Sequence, residues 1–299
     1  MGLPALLSFH TVARLGGISA AADQLGMAKS GVSRHVAQLE QHFAVKLLER
    51  GARSVKLTPI GIRLDQRIRS ILAEVDLLDD IAREESSGVS GQVNLATTPD
   101  FGSLVAAKLL PAVKERHPDL ALVMRPTYTF EDMQDPGTDL AFRIGTFQDD
   151  RLVAKELGSF RCWLVASPRL AAECEVKSSR DLESLPCLTF RDDKPDTTWT
   201  LFSPLEVTTI KVSGPFAARS FTVLFDLAVA GHGYAFLPEF MLDDALDCGA
   251  LVRCLPEHVS RPYTVFLTYR PGVRRIARID ATATLAEELI PELLSNLQG

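Results

Sequence analysis

Apolar residues recur at helical spacing through the N-terminal part of this chain and at strand spacing beyond it. Leu6, Phe9, Val12 and Ala13 form one stripe, and Gly16-Gly17 stops that helix. Ser19 is placed to cap a second helix that turns Ala21, Ala22 and Leu25 inward and ends at Gly26. Val32, Val36, Leu39 and Phe43, spaced four, three and four apart, mark the buried face of a third. "LLERGARSVKL", residues 47–57, reads as two short strands around Gly51-Ala52. Thr58-Pro59, a capping hydroxyl before a proline at the first helical position, opens a long helix. Along it Leu64, Ile68, Ile71, Val75, Leu78 and Ala82 keep a heptad seam. From Pro59 to Glu85 such a helix runs roughly 40 Å at 1.5 Å per residue. One narrow seam on so long a helix predicts pairing with a second copy; packing on its own domain is the plainer alternative.

"SSGVSG", Ser86 to Gly91, reads as a hinge. After it the texture alternates. "QVNLAT", "LALVMRP", "DLAFRIG", "RCWLVAS", "YAFLP" and "TVFLTYR" predict strands, whereas "SLVAAKLLPAVKERH" and "ATLAEELIPELLSNL" predict helices, the pattern of a parallel α/β sheet.

Charge divides the chain in the same place. Residues 1–60 hold seven basic residues (Arg14, Lys29, Arg34, Lys46, Arg50, Arg53, Lys56) against three acidic ones (Asp23, Glu40, Glu49), a net of +4. The whole chain carries −6, so residues 61–299 carry −10. A basic head on an acidic body suits a partner that is a polyanion met only at the head. The third helix presents Lys29, Ser30, Ser33 and Arg34 opposite its apolar stripe, short hydrogen bonders beside long cations. In a helix-turn-helix such a face meets base edges in the major groove, and Arg50, Arg53 and Lys56 on the following hairpin grip the backbone as a wing. A solvated surface helix and hairpin are the alternatives to that reading.

Five cysteines (Cys162, Cys174, Cys187, Cys248, Cys254) show no CxxC spacing, and no HExxH or paired Cys/His pattern predicts a metal. No apolar run approaches the ~20 residues of a membrane span, which predicts a cytoplasmic protein without a membrane partner. The chain shows no G-x-S-x-G elbow, no P-loop and no carboxylate pair in a recognisable setting. The expectation is therefore not an enzyme, with no cofactor.

The run "SAAADQLGMAKSGVSRHVAQLEQHFAVKLLERGARSVKLTPIG" resembles the N-terminal region of LysR-type transcriptional regulators, and "LLPAVKERHPDLAL", "DLAFRIG", "LVASPRLA" and "AVAGHGYAFLPEFM" resemble their effector-domain landmarks. The resemblance spans nearly the whole chain. It implies a winged helix-turn-helix over 1–58, a dimerising linker helix over 59–87, and a two-lobed α/β body of periplasmic-binding-protein type over 91–299. On that pattern lobe I is about 91–162 plus 267–299 and lobe II about 163–266. It also implies double-stranded DNA with a pseudo-palindromic operator, a small-molecule effector, assembly into dimers and tetramers, and RNA polymerase as partners. The pattern departs at two positions: Ala28 stands where a capping serine or threonine is usual, and Lys29 where glutamine is frequent. Lysine reads guanine acceptors or a phosphate, whereas glutamine favours adenine.

In an α/β lobe, ligands sit beyond the carboxyl ends of strands, near helix N-termini that attract anions. Thr97, Thr98 and Phe101 follow the first strand, Thr127 the second, Arg143 ends "DLAFRIG", and Ser220 and Thr222 open a later helix. These hydroxyls and one arginine predict an anionic effector between the lobes; turn and capping hydrogen bonds are their alternative use. Asp100 cuts against an anion unless it caps the helix that follows it. A regulator without a metabolite, under redox or partner control, and a cytoplasmic solute-binding protein are the rival readings.

Overall fold

The computed structural model describes the backbone of residues 2–50, 55–87, 89–129, 137–149, 151–191 and 197–296; the side chains of 50, 73, 74, 76–87 and 296 lie outside that set. Arg53 and the side chains of Arg50, Leu78 and Ala82 are therefore outside the described residues. The chain divides into two compact units, one holding Met1–Gly88 and the other Val89–Gln134 and Thr138–Gly299.

In the first unit, α1 (Leu3–Leu15) ends at Gly16, whose φ of 66° is the left-handed conformation that glycine adopts without cost. α2 (Ile18–Leu25) begins two residues earlier than the sequence suggests: Gly17, not Ser19, is its N-cap, and Ser19 sits inside its first turn. α3 (Lys29–Phe43) buries Val32, Val36 and Leu39 fully against α1 and α2, with Phe43 packed at the edge of that core. β1 (Leu48–Arg50) and β2 (Val55–Leu57) pair antiparallel, Glu49 opposite Lys56. α4 (Pro59–Ser87) runs through Ser86 and Ser87, so the hinge is shorter than its Ser/Gly run suggested. Thr58 does cap it, its Oγ1 accepting from Gly61 N at 3.0 Å.

The linker seam divides in two. Ile68 is buried in the head's own core, and Leu64 and Leu72 pack beside it. Spaced four apart, these three form one helical stripe turned to the head. Ile71, 45% exposed, and Val75 stand on the neighbouring stripe. Buried Asp65 ties the same helix to α1 and to itself, with His10 Nδ1 at 2.9 Å and Arg69 Nη2 at 2.9 Å.

The second unit is two sheets joined by two chain crossings. The first lobe's sheet has the order β4 (Leu120–Pro126), β3 (Gly91–Thr97), β5 (Leu140–Ile144), β14 (Tyr263–Tyr269), β6 (Val153–Phe160). β3 is parallel to β4 and β5, while β14 is antiparallel to β5 and β6, so the sheet is mixed where a parallel one was expected. α5 (Pro99–Arg116) and the C-terminal helix (Ala277–Asn296) pack against this sheet and each other. The second lobe's sheet runs β11 (Ala217–Ala218), β8 (Cys187–Phe190), β12 (Tyr234–Pro238), β7 (Cys162–Ala166), β13 (Val252–Arg253). β9 (Thr197–Phe202) and β10 (Val207–Val212) form a separate hairpin. The expected return to lobe I at 267 is corrected to Tyr263, because all seven residues of β14 pair with β6 of that lobe.

Candidate functional site

The head carries the first candidate surface. With Val32, Val36 and Leu39 facing inward, the helical period leaves Lys29, Ser30 and Arg34 exposed and Ser33 half-buried on the outer face of α3. Ala28 is the N-cap and gives no side-chain hydrogen bond, so the first-turn N–H groups of α3 are not closed off by a capping hydroxyl. The far end of α3 is pinned instead. The buried carboxylate of Glu40 accepts from Leu47 N at 2.9 Å and Leu48 N at 3.3 Å, and Lys46 Nζ lies 2.8 Å away. Burial opposes its ionisation, but these three donors outweigh burial and hold the carboxyl below its ordinary value. β1 is thereby fixed to α3, and β2 is fixed to the α1–α2 turn through Val55 N donating to Gly16 O at 3.1 Å. Lys56 stands exposed on that hairpin.

The second candidate is a cleft between the lobes, a cavity of about 400 Å³. From the first lobe come Thr98, Asp100, Tyr128, Ile144, Gly145, Thr146, Phe160 and Tyr263, and from the second Cys162, Phe190, Phe221, Pro238 and Phe240, with Arg261 on the returning crossing. Rings interlock at the crossings: Phe160 lies edge-on to Phe240 at 4.9 Å and stacks with Tyr263 at 5.7 Å. The crossings are held together by Arg161 Nη1 donating to Ser260 O and Cys162 N donating to Ser260 Oγ, both at 2.8 Å. A wider, open groove of about 1140 Å³ lies over the β9–β10 hairpin, among Arg191, Lys211 and several threonines. It belongs to the second lobe alone, and among the described residues no aromatic side chain lines it, whereas the interlobe cleft has the concave, largely apolar lining common to ligand sites.

The predicted effector residues fare unevenly. Thr98 lines the cleft. Thr97 is fully buried with its hydroxyl on Thr98 O at 3.3 Å, and Phe101 is fully buried beneath the cleft floor, edge-on to Phe240 at 5.7 Å. Thr127 bonds locally, Oγ1 to Thr129 Oγ1 at 2.9 Å. Ser220 caps the helix Phe221–Val229 (α7, after the short α6, Pro168–Glu173), accepting from Val223 N at 3.4 Å. Thr222 bonds Asp100. Arg143 is buried on β5 with its guanidinium 5.4 Å from the Phe147 ring centre, and burial pushes its pKa below the usual value. Its neighbour Ile144 lines the cleft and Arg143 does not, as alternation along a strand requires.

The cation at the cleft is Arg261, whose guanidinium lies 5.7 Å from the Tyr263 ring centre. Sequence reasoning missed it, together with Tyr128, Phe160, Phe190, Phe240 and Tyr263. Their signal was weak: isolated aromatics on strand ends and turns, brought together only by the two-lobe topology. The sequence leaves Asp100 either opposing an anion or capping its own helix. It bonds instead to the first turn of α7 in the other lobe, accepting from Thr222 N at 2.9 Å and Thr222 Oγ1 at 2.9 Å.

The thiols are poor oxidant sensors where they are buried. Desolvation pushes Cys187 up to about 12 and Cys254 up to about 11, and raises Cys162 as well, so each is held as the unreactive thiol. Among the described residues no group of three or more His, Cys, Asp or Glu side chains could hold a metal, and no helix is long and apolar enough to cross a membrane.

Comparison with known proteins places both parts of the chain in one family. Residues 3–62 match the bacterial regulatory helix-turn-helix protein family of lysR type, and residues 86–290 match the LysR substrate binding domain. The chain is 29% identical over 290 residues to the HTH-type transcriptional regulator DmlR of Escherichia coli (strain K12), covering 96% of this chain and 94% of that one. It is 30% identical over 298 residues to the HTH-type transcriptional regulator CrgA of Neisseria meningitidis serogroup C (strain 8013), covering 98% of each. Full-length AphB, the Vibrio cholerae virulence activator, shares the fold with a TM-score of 0.66 at 22% identity over 97% of this chain and 100% of that one. A basic three-helix head with a hairpin, a long linker helix, a cleft between two α/β lobes, and family matches to both ends together establish that this chain belongs to the LysR-type transcriptional regulators.

Proposed function

We propose that the protein is a sequence-specific DNA-binding regulator of the cytoplasm whose affinity for its operator is set by a small molecule held between the lobes. The observation that carries the reading is the outer face of α3, where Lys29, Ser30, Ser33 and Arg34 stand over a fully buried Val32, Val36 and Leu39. Such a helix meets base edges with its N-terminal residues. Lys56 on the hairpin holds phosphates and adds affinity without sequence preference, a role the sequence extends to Arg50 and Arg53, which lie outside the described side chains.

Two copies join through the linker helix along Ile71 and Val75, a line that the heptad spacing of the sequence continues to Leu78 and Ala82, because Leu64 and Ile68 are already used by the head. Pairing sets two heads on a pseudo-palindromic operator, and further assembly to a tetramer and contact with RNA polymerase complete the regulatory complex. The effector residues are those of the aromatic cleft, with Arg261 as the cation in place of Arg143. Binding there changes lobe closure, and a ligand shifts the DNA equilibrium only by its differential affinity for the two closures.

The test is duplex selected from a random library against a scrambled duplex of equal length, by fluorescence anisotropy at fixed salt. Arg34→Ala and Ser33→Ala each weaken the selected duplex by about 1–3 kcal/mol and the scrambled one far less. Lys56→Ala weakens both alike and flattens the salt dependence. Equal losses on both duplexes for all three variants would place the reading face elsewhere.

A further inference from the structure

Most of the cleft is apolar ring, yet its end nearest α7 carries a concentrated set of donors. Thr222 offers its backbone N–H and its hydroxyl, Phe221 its backbone N–H, and Tyr128 its phenol. Donors gathered at a helix N-terminus make an anion position. In this chain the position is filled from within. The Asp100 carboxylate, only 4% exposed, accepts from Thr222 N and Oγ1 through Oδ1 and from Phe221 N at 3.4 Å and the Tyr128 hydroxyl through Oδ2. Two of those four donors, Thr222 N and Phe221 N, are first-turn amides of α7 that have no partner within the helix itself.

The contact also crosses the cleft. Asp100 and Tyr128 belong to the first lobe, while Phe221 and Thr222 belong to the second. Alongside, Tyr128 lies edge-on to Phe190 at 5.7 Å, and Arg219 Nη2 reaches Tyr128 O at 3.5 Å. The cavity is thus bounded by the paired crossings on one side and this carboxylate contact on the other.

We propose that Asp100 is a resident carboxylate that fills the cleft's anion position, clasps the lobes, and determines ligand specificity by excluding carboxylates from that end. The inference rests on the cleft being the effector site. It changes the ligand class: a flat, mainly apolar or aromatic molecule, uncharged toward α7, with any acidic group turned to Arg261. A carboxylate brought to the α7 end meets a buried like charge and finds its donors taken, both of which cost affinity.

Acetate distinguishes the occupied position from an open one, because it carries the carboxylate that Asp100→Ala removes. Full-length wild type and Asp100→Ala are melted in acetate and in chloride at matched ionic strength. Asp100→Ala melts on the order of 5 °C lower than wild type and recovers at least about 2 °C in ~100 mM acetate, whereas wild type does not respond. Acetate stabilising both proteins equally, or neither, overturns the proposal. Asp100→Asn keeps the side-chain volume and guards against a variant that fails to fold. In it, hydrogen exchange at the Phe221 and Thr222 amides speeds by at least about tenfold. Unchanged exchange overturns the clasp. Benzyl alcohol and benzoate, run against wild type, separate the clasp from the effector reading. Acetate rescue with no response to either aromatic leaves the clasp standing and removes the cleft as effector site, while benzoate bound as well after Arg261→Ala as before overturns the orientation proposed here.

Discussion

At Gly61 the linker helix passes close against the backbone of the head, and replacing this glycine by alanine separates two opposed effects. Gly61 stands in the first turn of the helix, where alanine is favoured over glycine by up to about 1 kcal/mol, so propensity alone predicts a stabilised protein. The structure predicts the reverse. A Cβ at Gly61 would stand 2.2 Å from Leu47 O and 3.1 Å from Leu47 C, with Thr58 Oγ1 at 3.2 Å. These are backbone atoms and a capping hydroxyl, and the strand leading from Leu47 is fixed by Thr58 N donating to Leu47 O at 3.0 Å and by the Glu40 carboxylate. The overlap is relieved only by lifting the helix off the head, which loosens Ile68 and the Thr58 cap together. Overpacking of this kind costs about 1–3 kcal/mol and more where nothing can give, and the propensity gain offsets only part of it. For a unit of this size each kcal/mol moves Tm by about 4–8 °C, so Gly61→Ala lowers the head transition by on the order of 10 °C. Calorimetry of the full chain, with the head and body transitions resolved, measures it. An unchanged or raised head transition would show that the helix does not seat on Leu47 as described.

Two further outcomes follow from how the head is built. Ile68→Ala lowers head stability by about 2–5 kcal/mol whatever the protein concentration, whereas Ile71→Ala leaves the monomeric head unchanged and weakens self-association in sedimentation equilibrium. The reverse assignment would restore the full seam to the dimer. Glu40 is held below its ordinary value of about 4.5, so its contribution is complete above that value and is lost as pH falls through the lower folded value. Acid unfolding of the head followed by circular dichroism becomes shallower in Glu40→Gln, and equal slopes would deny the carboxylate its role.

The parts of this protein that were legible in its sequence are those where one period decides the structure. Val32, Val36, Leu39 and Phe43 can share only one face of a helix, and the exposed positions of Lys29, Ser30 and Arg34 follow from it. The linker seam shows the limit of the same argument. Periodicity marks Leu64 through Ala82 as apolar, but it does not say what covers each residue, and the head covers Leu64 and Ile68. The cleft was legible least. The rule that ligands lie beyond strand ends led to Thr97, Thr127 and Arg143, which bond locally or are buried behind the strand. Phe160, Phe240, Arg261 and Tyr263 converge because the chain crosses between lobes twice, at 160–162 and at 260–263, and no local pattern encodes that juxtaposition. Asp100 illustrates both effects: capping was one of its two sequence-based roles, but the helix whose first turn it holds lies in the other lobe.

Sequence reading by α3 is the step on which the proposed regulation rests. Its most direct test is anisotropy on the selected and scrambled duplexes at one salt concentration, with wild type and Arg34→Ala side by side. Wild type is expected to prefer the selected duplex by on the order of a thousandfold or more, and Arg34→Ala to lose at least about tenfold of that preference while the scrambled duplex is bound nearly as before. Equal binding of both duplexes by wild type, or a preference that survives Arg34→Ala intact, would contradict it.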